Sequence, residues 1–428
     1  MSEPLDRALV PPALQDAAAL EELAQAYGTP LFVYDEDELR RRCREYVALF
    51  GAGNVAYAGK AFLCTAMARL VADEGLHLDV ATGGELHVAL RAGFPVDRIV
   101  FHGNNKSTEE LTAALDAGVG RIVADSFDEL DRLEQLASAR SVRPDVLVRV
   151  TPGVEAHTHE FIETGTDESK FGFTVANGIA RSAALRVARS STLELAGLHC
   201  HIGSQIYVLE SYRLAMEIVA GLAAEIESEA GVRVSELNVG GGLGVRYLLD
   251  DPDHTIAEYA GVVRAACSAA VAAAGLKAVP RLVVEPGRSI AGPAAITLYR
   301  VGTVKEIPGG RTYVAVDGGM SDNPRPVLYG AGYEAYLPAR VDEARPLVCS
   351  VAGKHCEQGD LVVADARLPD RVEVGDLLAV PVTGAYGYSM ASNYNKVPRP
   401  AVVFVRNGTA RVVVRRETPE DLVRLDQS

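Results

Sequence analysis

The sequence predicts an α/β chain: a (β/α)8 TIM-like barrel followed by a C-terminal β-sandwich or Greek-key domain that takes in the N-terminal strand. Three observations predict it. Eight short β-branched, apolar runs alternate with longer Ala/Leu/Glu/Arg segments from residue 54 to about 288, which is the βα pattern. Eight strand–helix units in roughly 235 residues match a barrel in both count and length. After Glu285 the texture changes, and strand-like runs follow one another with no long amphipathic segment until the final few residues. A doubly wound sheet competes for the first part, and the count of eight favours the barrel.

Taken in order, the first 35 residues hold one helical segment, 14–26, and one strand, LFVYD, which could pair with the β domain. The barrel strands are NVAYA (54–58), HLDVA (77–81), RIVFH (98–102), RIVAD (121–125), DVLVRV (145–150), LAGLHCH (195–201), ELNVG (236–240) and RLVVE (281–285). Helical segments lie between them, among them 65–74, 84–92, 108–117, 126–139 and 209–229. Beyond residue 288, AITLYRVGTVKEI, TYVAVDGG, LVCSVAG, LVVADA, DLLAVPV and AVVFVR read as strands. AVVFVR and ARVVVRR flank Asn407-Gly408, a pair that favours positive φ and predicts a hairpin. The expected domains are therefore 36–288 for the barrel, and 1–35 with 289–428 for the β domain.

Composition removes several classes of function. With 428 residues, 42 Lys+Arg and 57 Asp+Glu, the formal net charge is −15, which argues against nucleic acid as a partner. Apolar residues at 48% and charged residues at 23% suit a folded, soluble chain with large cores. The start lacks a basic region followed by an apolar one, so a cytoplasmic location is expected. The longest apolar stretch, 265–276, falls short of the roughly 18 residues that a membrane span needs, so no membrane partner is expected. Cys43, Cys64, Cys200, Cys267, Cys349 and Cys356 show no CxxC spacing and read as reduced thiols.

Barrel enzymes assemble their sites at the C-terminal ends of the strands. Here those ends carry Lys60, Asp79, His102, Asp125, Arg149, His199 with His201, Gly240 to Gly242, and Glu285. Any one of them could be a cap or a solvated group, but so many on one face point to a site. Lys60 follows an apolar strand, where partial desolvation would lower its pKa and favour condensation with a carbonyl. NVGGGLG offers backbone N–H groups without side chains, suited to a phosphate, although it lacks dinucleotide spacing. Glu285 could keep a ring nitrogen protonated. A lysine for an aldehyde, a glycine cradle for a phosphate and an acid for a pyridine nitrogen together describe pyridoxal phosphate. His199 and His201 form an H-x-H pair whose rings would point the same way on a strand, yet no acid or cysteine stands at ligand spacing, so no metal is expected. His157 and His159 read as polar lid residues.

Through AYAGKAF, LDVATGGEL, FHGNNKS, SKFGF, GLHCHIGSQI, NVGGGLG, EPGRS, DGGMSDNPRPVLYGA, CEQGD and GAYGYSMASNYN, the chain resembles the fold type III pyridoxal-phosphate decarboxylases, and among them the branch acting on diaminopimelate. The resemblance runs from about Phe32 to Arg416. It implies decarboxylation of meso-2,6-diaminopimelate to L-lysine and CO2, the last step of lysine biosynthesis, by a homodimer with active sites at the subunit interface. A decarboxylase of a related diamino acid or carboxylated polyamine is the alternative.

The resemblance also implies roles. Lys60 would hold the cofactor aldehyde, Glu285 would pair with the ring nitrogen, His201 would stack on the ring, and Asp79 would support it. Ser204, Gly240, Gly241, Gly242, Gly287, Arg288 and Tyr386 would hold the phosphate. Cys356 would return the proton, since a thiol with a reference pKa of about 8.5 is still protonated at neutral pH. Arg288, Arg325 and Tyr329 would meet the distal carboxylate and Glu357 the distal ammonium, with arginine offering a bidentate fork, and Tyr386 would also touch the substrate. Glu163, where a serine is usual, and Lys396-Val397 depart from the family pattern without touching a named role.

Overall fold

The computed structural model describes residues 3–154 and 169–427. His157, His159 and Glu163 lie outside the described residues. Contacts group the chain into two units: Cys43–Gly244 with His254–Gly287, and Met1–Arg42 with Val245–Asp253 and Arg288–Ser428.

The first unit is the barrel. Its strands Ala56–Ala58, His77–Val80, Ile99–Phe101, Arg121–Ala124, Asp145–Thr151, Glu194–His199, Glu236–Asn238 and Arg281–Val283 pair in chain order, each parallel to the next. A parallel bridge between Val55 and Val284 brings the last strand to the first, and Ala56 N–H donates to Val284 O at 2.9 Å. Ala56, Val100, Val123, Leu147 and Ala196, from five different strands, form one buried apolar cluster.

Local sequence sets the helix limits. Thr108–Ala117 and Ile256–Ala274 each start at a reciprocal capping box, Ser107 with Glu110 and Thr255 with Glu258. Thr82 and Ser126 cap Gly83–Ala92 and Phe127–Arg140. Ile256–Ala274 is longer than the apolar stretch expected from sequence, and its length and apolar composition would suffice to cross a membrane. In the fold it packs against Glu210–Ala230 and buries Tyr259, Val263, Cys267 and Ala270.

The second unit is built on one eight-stranded mixed sheet. Leu31–Asp35 sits inside it, antiparallel to Ala295–Glu306 and parallel to Ala401–Arg406, with all five residues buried. A further parallel pair joins Thr312–Val316 to Leu347–Ala352, so the sheet is mixed rather than purely antiparallel. Ala401–Arg406 and Thr409–Val414 form the predicted hairpin, with Asn407 at φ 49° and Gly408 at φ 72°. All six cysteines are thiols.

Candidate active site

Each barrel strand delivers a polar side chain at its carboxyl end, because a parallel βα unit ends every strand on the same face. The centre of the group is Glu285, just beyond Arg281–Val283 and 6% exposed. Its Oε1 lies 2.9 Å from His102 Nε2 and accepts from Asn238 Nδ2 at 2.8 Å, while its Oε2 lies 3.0 Å from His199 Nε2. Burial opposes the Glu285 charge, but the two imidazoles outweigh it and hold the carboxyl well below its usual range. His102 moves up: burial works against its proton, yet Asp79 and Glu285 prevail. Burial alone dominates at His199, pushed down to about 4, and at Asp79, pushed up to about 6 with its Oδ1 3.8 Å from His102 Nε2. The site thus holds one firmly ionised carboxylate between an imidazole whose proton is favoured, His102, and a neutral one, His199.

Lys60 stands on the short turn Gly59–Ala61 after the first strand and is exposed, so the expected desolvation is absent. Among the described residues its Nζ makes no hydrogen bond or ion pair, which leaves the amine available. Lys106, also near these strand ends, is committed: its Nζ donates to Gly103 O and Val123 O at 2.6 and 2.8 Å and pairs with Glu129 at 2.7 Å. His199 and His201 do not act as a pair, because the strand ends at His199. His201 lies beyond it, and its Nδ1 accepts from Gly241 N–H at 3.3 Å. Burial first, and then the Lys60 charge, keep His201 neutral.

The glycine segment fits a bound group by shape. A Cβ on Gly241 would lie 2.1 Å from Glu285 O and one on Gly242 2.5 Å from Gly203 O, with Gly242 at φ 115°. These positions put no side chain of their own between the backbone and a ligand. Three of its glycine N–H groups have acceptors already, Gly240 in Asn238 Oδ1, Gly241 in His201 Nδ1 and Gly244 in Ile206 O, so the open cradle expected from sequence is only partly free. Gly287 also allows close approach, since a Cβ there would meet Ala58 and Ala61 at 3.0 Å. Ser204 is partly buried. An ionised acid at hydrogen-bonding depth, an available amine and a side-chain-free backbone turn suit the nitrogen, aldehyde and phosphate of pyridoxal phosphate.

A second group lies wholly within the sheet-bearing unit. Arg288 and Arg325 are each 7% exposed. Arg288 Nη1 donates to Tyr247 Oη at 2.8 Å, and its guanidinium stands 4.7 Å from the Tyr386 ring. Arg325 Nη1 donates to Tyr333 Oη at 2.5 Å and lies 4.7 Å over the Tyr247 ring. Tyr386 occupies the left-handed region at φ 61°, a strained setting that tends to mark functional positions. Tyr329 is partly exposed at the end of Arg325–Tyr329, and Cys356 and Glu357 are exposed. Cys356 N–H donates to Asn395 Oδ1 at 2.9 Å.

Sequence reasoning gave no site role to His102, Asn238, Tyr247 or Tyr333. His102 stood among the strand-end residues without a role, and Asn238 could have been found in the same way, since it ends the strand Glu236–Asn238. The tyrosines carry no such signal: Tyr333 lies eight residues past Arg325 and outside any strand-end pattern, and Tyr247 reaches the arginines through packing between distant segments.

Residues 36–292 match the family model described as the pyridoxal binding domain of pyridoxal-dependent decarboxylases. Diaminopimelate decarboxylase from Mycobacterium tuberculosis is 54% identical over 416 residues, covering 95% of this chain and 93% of its own length. The chain belongs to the diaminopimelate decarboxylase family. The diaminopimelate decarboxylase of Bacillus subtilis is 51% identical over 408 residues, covering 94% and 92%. A crystal structure of diaminopimelate decarboxylase from M. jannaschii in co-complex with L-lysine is 34% identical and superposes with a TM-score of 0.87, covering 95% of this chain and 94% of that one. A diaminopimelate decarboxylase family member is a pyridoxal-phosphate-dependent carboxy-lyase, and the barrel and mixed sheet agree with that fold.

Proposed function

We propose that this chain removes one carboxylate from meso-2,6-diaminopimelate to leave L-lysine and CO2, the closing step of lysine formation. The observation that carries the reading is Glu285, an ionised carboxylate gripped by His102, His199 and Asn238 at the strand ends that also bear Lys60. When bound, pyridoxal phosphate supplies an electron sink for the pair left as the Cα–carboxylate bond breaks.

The chain's own residues do the rest. Lys60 would hold the cofactor at its aldehyde carbon, the position that the substrate amine would then occupy. Glu285 holds a proton on the ring nitrogen, which keeps the sink effective, and Asp79 supports the surroundings of that pair. His201, kept neutral, offers a flat face to the ring. Ser204, Gly240 to Gly242, Gly287, Arg288 and Tyr386 hold the phosphate. The Cys356 thiol returns a proton to Cα once CO2 has left. At the far end of the substrate, Arg288, Arg325 and Tyr329 take the carboxylate and Glu357 the ammonium, while Tyr386 also touches the substrate. A diamine substrate without that carboxylate would leave two buried guanidiniums unmatched. The proposal includes a homodimer with subunit-interface active sites, a cytoplasmic location, and a barrel domain spanning 36–288.

The test is lysine and CO2 release from diaminopimelate, compared with ornithine and carboxylated polyamines, alongside the visible absorbance of the purified protein. A band abolished by borohydride and missing in Lys60→Ala is expected, with lysine formed from diaminopimelate alone. Cys356→Ala should keep the band and turn over poorly. Full activity in Lys60→Ala would sink the mechanism.

A further inference from the structure

Two buried arginines in one cluster would ordinarily have carboxylate partners, since unpaired buried cations are costly. Here tyrosines stand against both. Among the described residues Arg325 makes no ion pair; it meets Tyr333 Oη and the rings of Tyr247 and Tyr333. Arg288 meets Tyr247 Oη and the Tyr386 ring. Tyr247 meets both guanidiniums: its hydroxyl accepts from Arg288 Nη1, and its ring lies under Arg325. Its ring is wedged edge-on against Tyr333 at 5.1 Å and 83°, and it is 4% exposed. A phenol accepts a hydrogen bond without cancelling the positive charge, as a carboxylate would, so the pair stays aligned and electropositive.

We propose that Tyr247 is a positioning residue that presets Arg288 and Arg325 as a two-pronged clamp for a carboxylate, and so sets the preference for substrates bearing one at the end away from the reacting carbon. This rests on the distal-carboxylate role given to the two arginines above. Burial raises the Tyr247 phenol, but the two arginines outweigh it and draw it below its ordinary value, in keeping with an acceptor held between two cations.

The experiment compares the wild-type holoenzyme with Tyr247→Phe, which keeps the ring, and Tyr247→Leu, which removes it. Two readouts are taken: KM and kcat for diaminopimelate, and calorimetric binding of pimelate, a dicarboxylate that cannot react. Tyr247→Phe should weaken pimelate and raise KM about tenfold, the scale of one hydrogen bond to a charged group, with kcat and the cofactor absorbance unchanged. Tyr247→Leu should weaken both further. Pimelate affinity and KM within about twofold of wild type in both variants would overturn the proposal, and so would parallel loss of kcat, absorbance and thermal stability, which marks a structural role. Wild-type protein that binds pimelate but forms no lysine would remove the proposed reaction and leave the Tyr247 comparison to be decided on pimelate.

Discussion

At the residue scale, the group around Glu285 ties stability to pH through opposing proton balances. His199 stays neutral in the fold down to about 4, whereas the unfolded chain protonates it near 6.5. Between those values the unfolded state binds the extra proton, so stability falls on acidification. Asp79 has the opposite sign: the fold keeps its proton up to about 6, the unfolded chain only to about 3.9, so acidification through that window favours the fold. The two slopes cancel between about 4 and 6. Asp79→Asn should therefore make stability drop more steeply than in wild type over that range, by up to about 1.4 kcal/mol per pH unit, read as the difference between two urea titration series. Parallel series would refute this balance. Lys60, Asp79, His102, His199 and Glu285 could be placed at one rim because the βα alternation fixes which end of each strand they occupy. Their mutual partners could not: His102 and Glu285 are 183 residues apart in sequence, and only barrel closure makes them neighbours.

At the element scale, alternation and turn chemistry identified the barrel strands and the closing hairpin, because period-two patterns and an Asn-Gly pair are local signals. Ile179–Arg189 was harder to read. The side chains it buries are mostly alanines, Ala180, Ala183 and Ala184, which mark a face weakly. Strand neighbours in the mixed sheet were also hidden, since alternation shows that a segment is a strand and not which strand it joins. The same contrast predicts mutational cost. Leu31, wholly buried in a strand with partners on both sides, should lose about 2–5 kcal/mol as Leu31→Ala. Gly408→Ala meets no atom within 4 Å and should lose only about 1–2 kcal/mol, from its positive φ alone. Denaturant midpoints for the pair should rank in that order, and equal shifts would contradict the packing argument.

At the scale of the whole molecule, neither unit is one continuous stretch. The sheet-bearing unit gathers Met1–Arg42, Val245–Asp253 and everything from Arg288 onward, and one apolar core draws on Leu31, Tyr247, Leu298 and Val403 together. Deleting residues 1–35 should therefore fail in that unit even though every later residue remains. The gap between Ala295–Glu306 and Ala401–Arg406 would leave two unpaired edges, and light scattering should show aggregation; a monodisperse, active truncated protein would contradict this reading. The inserted strand also constrains how the polypeptide comes to be made. Leu31–Asp35 emerges from the ribosome early, but Ala401–Arg406, its parallel neighbour, follows about 370 residues later. At about 5–20 residues per second the strand waits roughly 20–70 s for that partner. Until both neighbours have been made, a largely apolar segment has to be kept from pairing elsewhere, so assembly of this unit belongs to the end of translation.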